Sequence, residues 1–300
     1  MPSQFPRIAL ATCRNLPGWE ADDLPFERAL RDRGVELSHV VWDAPDADWS
    51  AYDAVLIRTT WDYMERRDEF VQWAERVAGV TRLMNPAEVV RWNTDKHYLR
   101  DLAERGVRTL PTAWLERGST PDLDGELERL GATRGFLKPA VGAKARETLR
   151  FDRDPVGLAR ARAHCARLLP DESLILQPYQ ESVEHGGELS VIFFDGEPSH
   201  AVRKVPVSGD YRVQDDFGAL DAPEPMTGEL EAASEGVLAR AQERLGETVG
   251  PLLYARVDFL RDDADVLCLN ELELVEPSLF FRHDLAAADR LAEALLRRLS

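Results

Sequence analysis

Glu271 and Glu273 sit two residues apart in the segment LNELELVEPS (269–278), where apolar and acidic residues alternate, and Asp258 lies in an apolar run just upstream. In a β-strand, residues two apart face the same side, roughly 6.6 Å apart at about 3.3 Å per residue. The two glutamates then project together, while Leu272 and Leu274 face a core. Residues 253–260 also read as a strand, and Asp262, Asp263, Ala264 and Asp265 supply the turn joining the two. If those residues form the whole loop, Asp258 pairs with Leu269, and Glu271 becomes its diagonal neighbour on the same face at roughly 7 to 8 Å. Three bare carboxylates so placed repel one another and raise at least one pKa, which a hard divalent cation relieves. Mg²⁺ carried with a polyphosphate suits the pattern, because Mg²⁺ takes one or two carboxylates together with waters and phosphate oxygens. A solvated acidic sheet face has the same pattern, and the hairpin alone does not choose between them.

A polyphosphate needs cations. Lys138 stands in FLKP (136–139) among apolar side chains, where an ammonium is costly unless it meets an anion. The loop that follows, 140–147, carries Gly142, Lys144 and Arg146 between two strands, as a phosphate cover or an ordinary surface hairpin would. Lys96 lies near a helix start, behind Asn93, Thr94 and Asp95 as N-cap candidates. Arg203, Lys204 and Arg212 cluster around a loop at 206–218; they could contact a terminal phosphate or an acidic substrate, although basic residues flanking a loop are commonplace.

The elements that position these groups change character along the chain. Strands over 7–12, 37–42, 54–58 and a short run at 82–84 alternate with helices over about 22–34 and 65–78, which predicts a parallel α/β sheet in roughly the first 90 residues. Ligands of such sheets sit at the carboxyl ends of strands, here the loops 12–19 and Arg58-Thr59-Thr60-Trp61-Asp62. A helix over 94–105 ends at Gly106, and 107–114 is extended. From 135 onward short strands dominate (136–139, 148–151, 174–178, 188–194 and 198–205), interrupted by a helix over 155–169, which predicts an antiparallel α+β region on the α/β base. Residues 221–229, with two Pro and one Gly, read as an exposed loop.

With 300 residues, 44% hydrophobic, the chain can bury a sizeable core divided into two or three subdomains. Its formal charge of -17, from 37 basic against 54 acidic residues, disfavours nucleic acid and anionic membranes as partners. Cys13, Cys165 and Cys268 show no metal-ligand or redox spacing, which suits a reducing cytoplasm. The run 8–11 is too short for a signal segment, and no stretch is long and apolar enough to span a membrane. The six histidines form no zinc pattern. A homo-oligomer is compatible with all of this.

Taken in order, MNPAEVVRWNTDKHYLRDLAERGVRTLPT, GFLKPAVGAKARETLRF, LILQPYQESVEHGGELSVIFFDGEPSHAVRKV, GDYRVQDDFG and LLYARVDFL with LCLNELELVEPS resemble the ATP-grasp superfamily over 85–278, and within it the glutathione-synthetase-like ligases. The resemblance implies an α/β plus α+β chain: an N-terminal parallel α/β subdomain (1–95) that serves the substrate, a central ATP-grasp subdomain (96–182), and a C-terminal ATP-grasp and Mg²⁺-binding subdomain (183–300), the two α+β parts clasping ATP. It further implies that Lys96 and Lys138 contact the phosphates under the loop carrying Lys144. Gln177, Pro178 and Tyr179 would hydrogen-bond adenine through the backbone, and Glu188, or else Glu184, would hold the ribose. Asp258, Glu271 and Glu273 match the Mg²⁺ ligands, although the last is often Asn in relatives. Arg212 and Lys204 resemble residues that stabilise an acyl phosphate. The phosphate loop departs from the usual pattern in having few glycines.

RTTWDY, WNTDKHYL and GDYRVQDDFG further resemble a group of stand-alone enzymes that includes the cyclo-ligase completing cycloserine biosynthesis, which closes O-ureidoserine into a ring at the expense of ATP. This implies a small-molecule carboxylate and amine substrate. Its carboxylate attacks the γ-phosphate, and a nitrogen then attacks the acyl phosphate. Glu271 would bridge two Mg²⁺ ions, and Lys138 and Arg212 would counter the developing charge. Arg14, Arg58, Thr59 and Asp62 on the N-terminal loops, with Arg203 and Ser278, are candidates for gripping the amino-acid end. A kinase on the same fold and a non-catalytic nucleotide-binding protein are the rival readings.

Overall fold

The structure, a computed structural model, describes residues 5–16, 20–213 and 218–300. Part of the loop 12–19 and part of GDYRVQDDFG lie outside the described residues. The first sheet holds β1 (Arg7–Thr12), β2 (Glu36–Val41), β3 (Ala54–Thr59) and β4 (Arg82–Met84), all parallel, in the order β2-β1-β3-β4. β1 and β3 are buried almost throughout, as parallel strands covered on both faces must be. The coverings are α1 (Leu24–Asp32), with Pro25 in its first turn, and α2 (Arg67–Ala78), whose Phe70, Trp73, Ala74 and Val77 form a buried stripe at helical spacing.

The helix expected over 94–105 starts later, as α4 (Tyr98–Glu104), and a separate helix that was not expected, α3 (Ala87–Asn93), precedes it. The break has local causes. The Thr94 hydroxyl bonds back to Val90 O at 2.7 Å, the Asp95 carboxylate accepts His97 N–H at 3.0 Å, and Lys96 N–H leaves the helix for Ala140 O at 2.8 Å. Lys96 therefore stands in the break.

A second, antiparallel sheet runs β5-β8-β6-β7, from β5 (Ala113–Leu115), β6 (Arg134–Pro139), β7 (Leu149–Asp152) and β8 (Leu174–Pro178). It is backed by α5 (Leu123–Arg129) and α6 (Pro155–Leu168), capped by the side chains of Asp122 and Asp154. Its core, with Leu123, Leu127, Leu137, Phe151, Ala161 and Leu176, is its own.

After the short α7 (Val183–Gly186) comes the third sheet, also antiparallel, in the order β11-β10-β9-β12-β13: β9 (Glu188–Phe194), β10 (Glu197–Val205), β11 (Leu220–Glu224), β12 (Tyr254–Arg261) and β13 (Leu267–Glu273). The expected loop at 221–229 is thus corrected. β11 is an edge strand, where Pro223 needs no ladder hydrogen bond, and α8 (Gly228–Leu245) starts behind the Thr227 cap. α9 (Leu285–Leu299) closes the chain. It packs into one core that joins the first and third sheets, including Leu10, Phe26, Phe194, Leu253 and Leu291. Buried polar ties fix the same junction. Asn85 Nδ2 donates to Tyr254 O and Leu274 O, both at 2.9 Å, and Leu253 N–H donates to Asn85 Oδ1 at 2.8 Å. Among the described residues no helix is long and apolar enough to cross a membrane.

Candidate active site

The β12–β13 hairpin differs from expectation in register. Val266 joins the turn, which Asp265 passes with φ 61°, so Arg261 pairs with Leu267. A bulge between Asp258 and Phe259 then leaves Asn270 as the extra residue. The two shifts correct the expected pairing of Asp258 with Leu269. Asp258 lies directly opposite Glu271, and Arg256 opposite Glu273, all on one face. β9 and β10 add Glu188 and its cross-strand partner Lys204.

The carboxylates are not bare, which corrects the picture of three free ones. Arg256 Nη2 lies 2.9 Å from Asp258 Oδ2 and also pairs with Glu273. Lys204 Nζ is 3.5 Å from Asp258 Oδ2 and pairs with Glu188. Lys96 Nζ is 2.8 Å from Glu271 Oε1. Against the cost of burial, Arg256 and Lys204 hold the Asp258 pKa down, and Lys96 and Lys138 do the same for Glu271. Burial and the repulsion of Glu271 and Asp258 raise that of Glu273 in spite of Arg256.

Among the described residues no three His, Cys, Asp or Glu side chains converge as a ready metal cage. Glu271 and Glu273 nevertheless face the cavity, as does Asn270, and the two glutamates' oxygens fit a hard cation that takes two carboxylates and completes its shell with phosphate oxygens and water. Asp258 is enclosed by two cations, so Arg256 would have to yield before it became a ligand.

Lys138 enters the cavity from β6, its Nζ 3.3 Å from Asn270 Oδ1. Burial, with Lys96 nearby, pushes its pKa down to about 8 in spite of Glu271. Lys96 Nζ also donates to Gly142 O at 2.8 Å, tying the helix break to the loop 140–147. That loop bends through non-glycine residues: Lys144, Ala145 and Glu147 have φ of 51°, 52° and 53°, conformations that cost L-residues roughly 1–2 kcal/mol each. It is held from outside. Arg146 pairs with Glu172, Arg167 pairs with Glu147, Ala143 N–H meets Met64 Sδ at 3.3 Å, and Lys144 Nζ lies 4.7 Å from the centre of the Trp61 ring.

The opposite end of the cavity is apolar, formed by Leu110, Phe136, Tyr179, Val183, Val213 and Leu260. Gln177, Pro178 and Tyr179 border it. Tyr179 N–H already donates to Arg134 O at 3.0 Å, and Gln177 Nε2 to Thr112 Oγ1 at 3.0 Å.

Lys96, Lys138, Lys144, Gln177, Pro178, Tyr179, Glu188, Lys204, Arg212, Asp258, Glu271, Glu273 and Ser278 thus line one cavity of about 290 Å³. Arg212 reaches it from a loop where Asp210 holds the guanidinium at 2.6 Å. Six candidates are not brought to the cavity lining, each being engaged elsewhere. Arg58 is buried against Asp23 at 2.8 Å, Thr59 bonds Thr12 at 2.7 Å, and Asp62 accepts from Trp42 Nε1 at 2.8 Å. Arg14 pairs with Asp43 at 3.0 Å, Arg203 with Glu224 at 2.7 Å, and Glu184 with Arg150 at 2.7 Å. In their place the cavity gains Arg256, Asn270, Glu276, Tyr63, Phe280 and Arg282. Arg256 had a legible signal, since it precedes Asp258 by two residues in the same strand. Asn270 had none, because period-2 alternation places it on the core face until the bulge turns it.

Residues 8–85 match the family described as D-cycloserine synthetase DcsG, N-terminal domain. Over 293 residues the chain is 38% identical to the cycloserine biosynthesis protein DcsG of Streptomyces lavendulae, covering 92% of this chain and 93% of that protein. The crystal structure of D-cycloserine synthetase DcsG superposes with a TM-score of 0.89 at 34% identity, over 98% of this chain and 100% of the other. An ATP-grasp RimK domain protein from Sphaerobacter thermophilus superposes with a TM-score of 0.68 over 96% and 98% of the two chains; at 15% identity it bears on the fold alone. The fold is ATP-grasp.

Proposed function

Because this chain belongs to the D-cycloserine synthetase DcsG family of ATP-dependent ligases, we propose that it activates the carboxylate of an amino-acid substrate with ATP and closes that substrate into a ring, O-ureidoserine giving cycloserine. The carboxylate attacks the γ-phosphorus, forming an acyl phosphate and releasing ADP. The nitrogen on the substrate's side-chain oxygen then attacks the acyl carbon and releases phosphate, and the carbamoyl group on that nitrogen leaves by hydrolysis.

The observation that carries this reading is Lys138, a buried ammonium whose hydrogen-bond partner among the described residues is the Asn270 amide at 3.3 Å, facing the same cavity as Lys96 and the acidic hairpin. Such a charge is stabilised by a polyphosphate anion. Lys96 and Lys138 hold phosphate oxygens, and the loop with Lys144 covers them. The apolar slot takes adenine; since Tyr179 N–H is engaged and Pro178 has none, the donor half of the backbone clamp falls to Gln180. Of the two ribose candidates, Glu188 is the one lining the cavity. Arg256, Lys204 and Arg212 counter the charge that develops on the acyl phosphate and on the carbonyl oxygen. Glu271 and Glu273 would hold a Mg²⁺ ion, which would supply charge neutralisation on the transferred phosphoryl group. The substrate is a small molecule and not a nucleic acid, and the enzyme works in the cytoplasm.

Hydroxylamine tests the intermediate. Substrate-dependent hydroxamate together with ADP is the expected result. ADP release with a stable phosphorylated product would mean a kinase, and ATP binding without turnover would mean a nucleotide-binding protein.

A further inference from the structure

Within the cavity the carboxylates of Asp258 and Glu273 are held by Arg256, that of Glu271 by Lys96 and that of Glu188 by Lys204. Glu20, at the rim, caps the turn that follows it by accepting Asp22 N–H at 3.1 Å. Glu276 also lines the cavity, and among the described residues no basic side chain forms an ion pair with it. Tyr63 shares the same cavity lining, and its phenol stabilises the Glu276 carboxylate. Burial and the repulsion of Glu271 push its pKa up to about 7, the mark of a carboxylate short of a cation.

The position is built with unusual care for a loop. Three successive carbonyls are clamped by three side chains. Glu276 O accepts Trp61 Nε1 at 3.2 Å, Pro277 O accepts Arg58 Nη2 at 3.1 Å, and Ser278 O accepts Arg256 Nη1 at 3.2 Å. Trp61 and Tyr63, from RTTWDY, thus hold the two ends of one residue, the indole its backbone and the phenol its carboxylate.

We propose that Glu276 receives the α-ammonium group of the substrate, an inference that rests on the ligase reading. In an α-amino acid one carbon separates the ammonium from the carboxylate, so whatever holds the first must stand beside the site where the second meets the γ-phosphate. Glu276 meets that condition, because it lines the same cavity as Glu271 and the two lysines Lys96 and Lys138. The bound ammonium completes an ion pair that the protein leaves half made, and Tyr63 fixes the carboxylate's orientation. Glu276 is then a specificity-determining residue that admits substrates with a free α-ammonium.

The test compares O-ureidoserine with its analogue bearing hydrogen in place of the α-amino group, on the unaltered enzyme, Glu276→Gln and Tyr63→Phe. On the unaltered enzyme the analogue should lose on the order of 100-fold in kcat/KM, the scale for losing one partner of a buried charged pair. Glu276→Gln should raise the KM for O-ureidoserine by a similar factor, leave the analogue unchanged, and bind a non-hydrolysable ATP analogue as before by calorimetry. Tyr63→Phe should shift the same discrimination by about tenfold, and keeps the test open if Glu276→Gln does not fold. Equal use of both compounds by the unaltered enzyme overturns the proposal. So does a Glu276→Gln, or with it unfolded a Tyr63→Phe, that loses equally on both compounds or on neither. Failure of the ligase reading looks different: the unaltered enzyme then makes no hydroxamate from either compound, and the proposal falls with it.

Discussion

Lys138 Nζ lies 3.3 Å from Asn270 Oδ1, and among the described residues no carboxylate pairs with it. With its pKa pushed down by burial to about 8, the free enzyme loses this charge as pH rises through that value. Since kcat/KM reports the free enzyme, kcat/KM for ATP should fall above pH about 8. Arginine stays protonated across that range. Lys138→Arg should therefore lose the alkaline limb, even at a lower absolute rate. A limb that persists unchanged in Lys138→Arg would assign it to another group and remove Lys138 from phosphate binding.

That lysine was legible because an ammonium in an apolar strand demands an anion. The acidic face of β13 was legible for a similar reason, since a period of two puts Glu271 and Glu273 together. Other features depend on pairings between distant segments. The Asn270 bulge answers to the register against β12, and the role of Glu276 answers to Trp61 and Tyr63, more than 200 residues away. β11 was hidden because Pro223 argues against a strand anywhere but at an edge, and the sequence does not say which strands are edges.

Arg58, read from the sequence as a candidate ligand grip, is engaged within the protein instead. It is 1% exposed, bonded twice to Asp23 at 2.8 and 2.9 Å and once to Pro277 O at 3.1 Å. Arg58→Ala leaves Asp23 buried and uncompensated, which should cost about 3–5 kcal/mol in denaturant unfolding. KM for the amino-acid substrate should change far less than stability, at temperatures where the variant stays folded. A large KM effect with native stability would restore the grip.

The contact of Lys144 with the Trp61 ring, at 4.7 Å, links the phosphate loop to the first sheet's loop. A cation–π contact of this kind contributes about 0.5–1 kcal/mol at an exposed site, so Lys144→Met should raise KM for ATP a few-fold beyond any loss from phosphate contact. The two contributions separate in a double-mutant cycle with Trp61→Leu. Coupling near zero between the two substitutions would mean that the ring does not hold the loop closed.

Glu271 and Glu273 should respond unequally to substitution, although they stand side by side. Glu271 is held ionised by Lys96 and Lys138, whereas Glu273 is raised by its carboxylate neighbours and already shares Arg256 with Asp258. Removing one negative charge at Glu273 relieves repulsion, and an amide there still offers an oxygen to a hard cation. Glu273→Asn should therefore retain turnover within about tenfold while requiring more Mg²⁺. Glu271→Gln removes the carboxylate paired with Lys96, a proposed metal ligand, and should lose on the order of 100-fold or more, the range for losing a group aimed at transition-state charge. Chelating the metal should stop both the native enzyme and Glu273→Asn, and added Mg²⁺ should restore them. Mg²⁺ titrations of ATP turnover decide the matter, and Glu271→Gln with a native Mg²⁺ profile would move the metal to other residues.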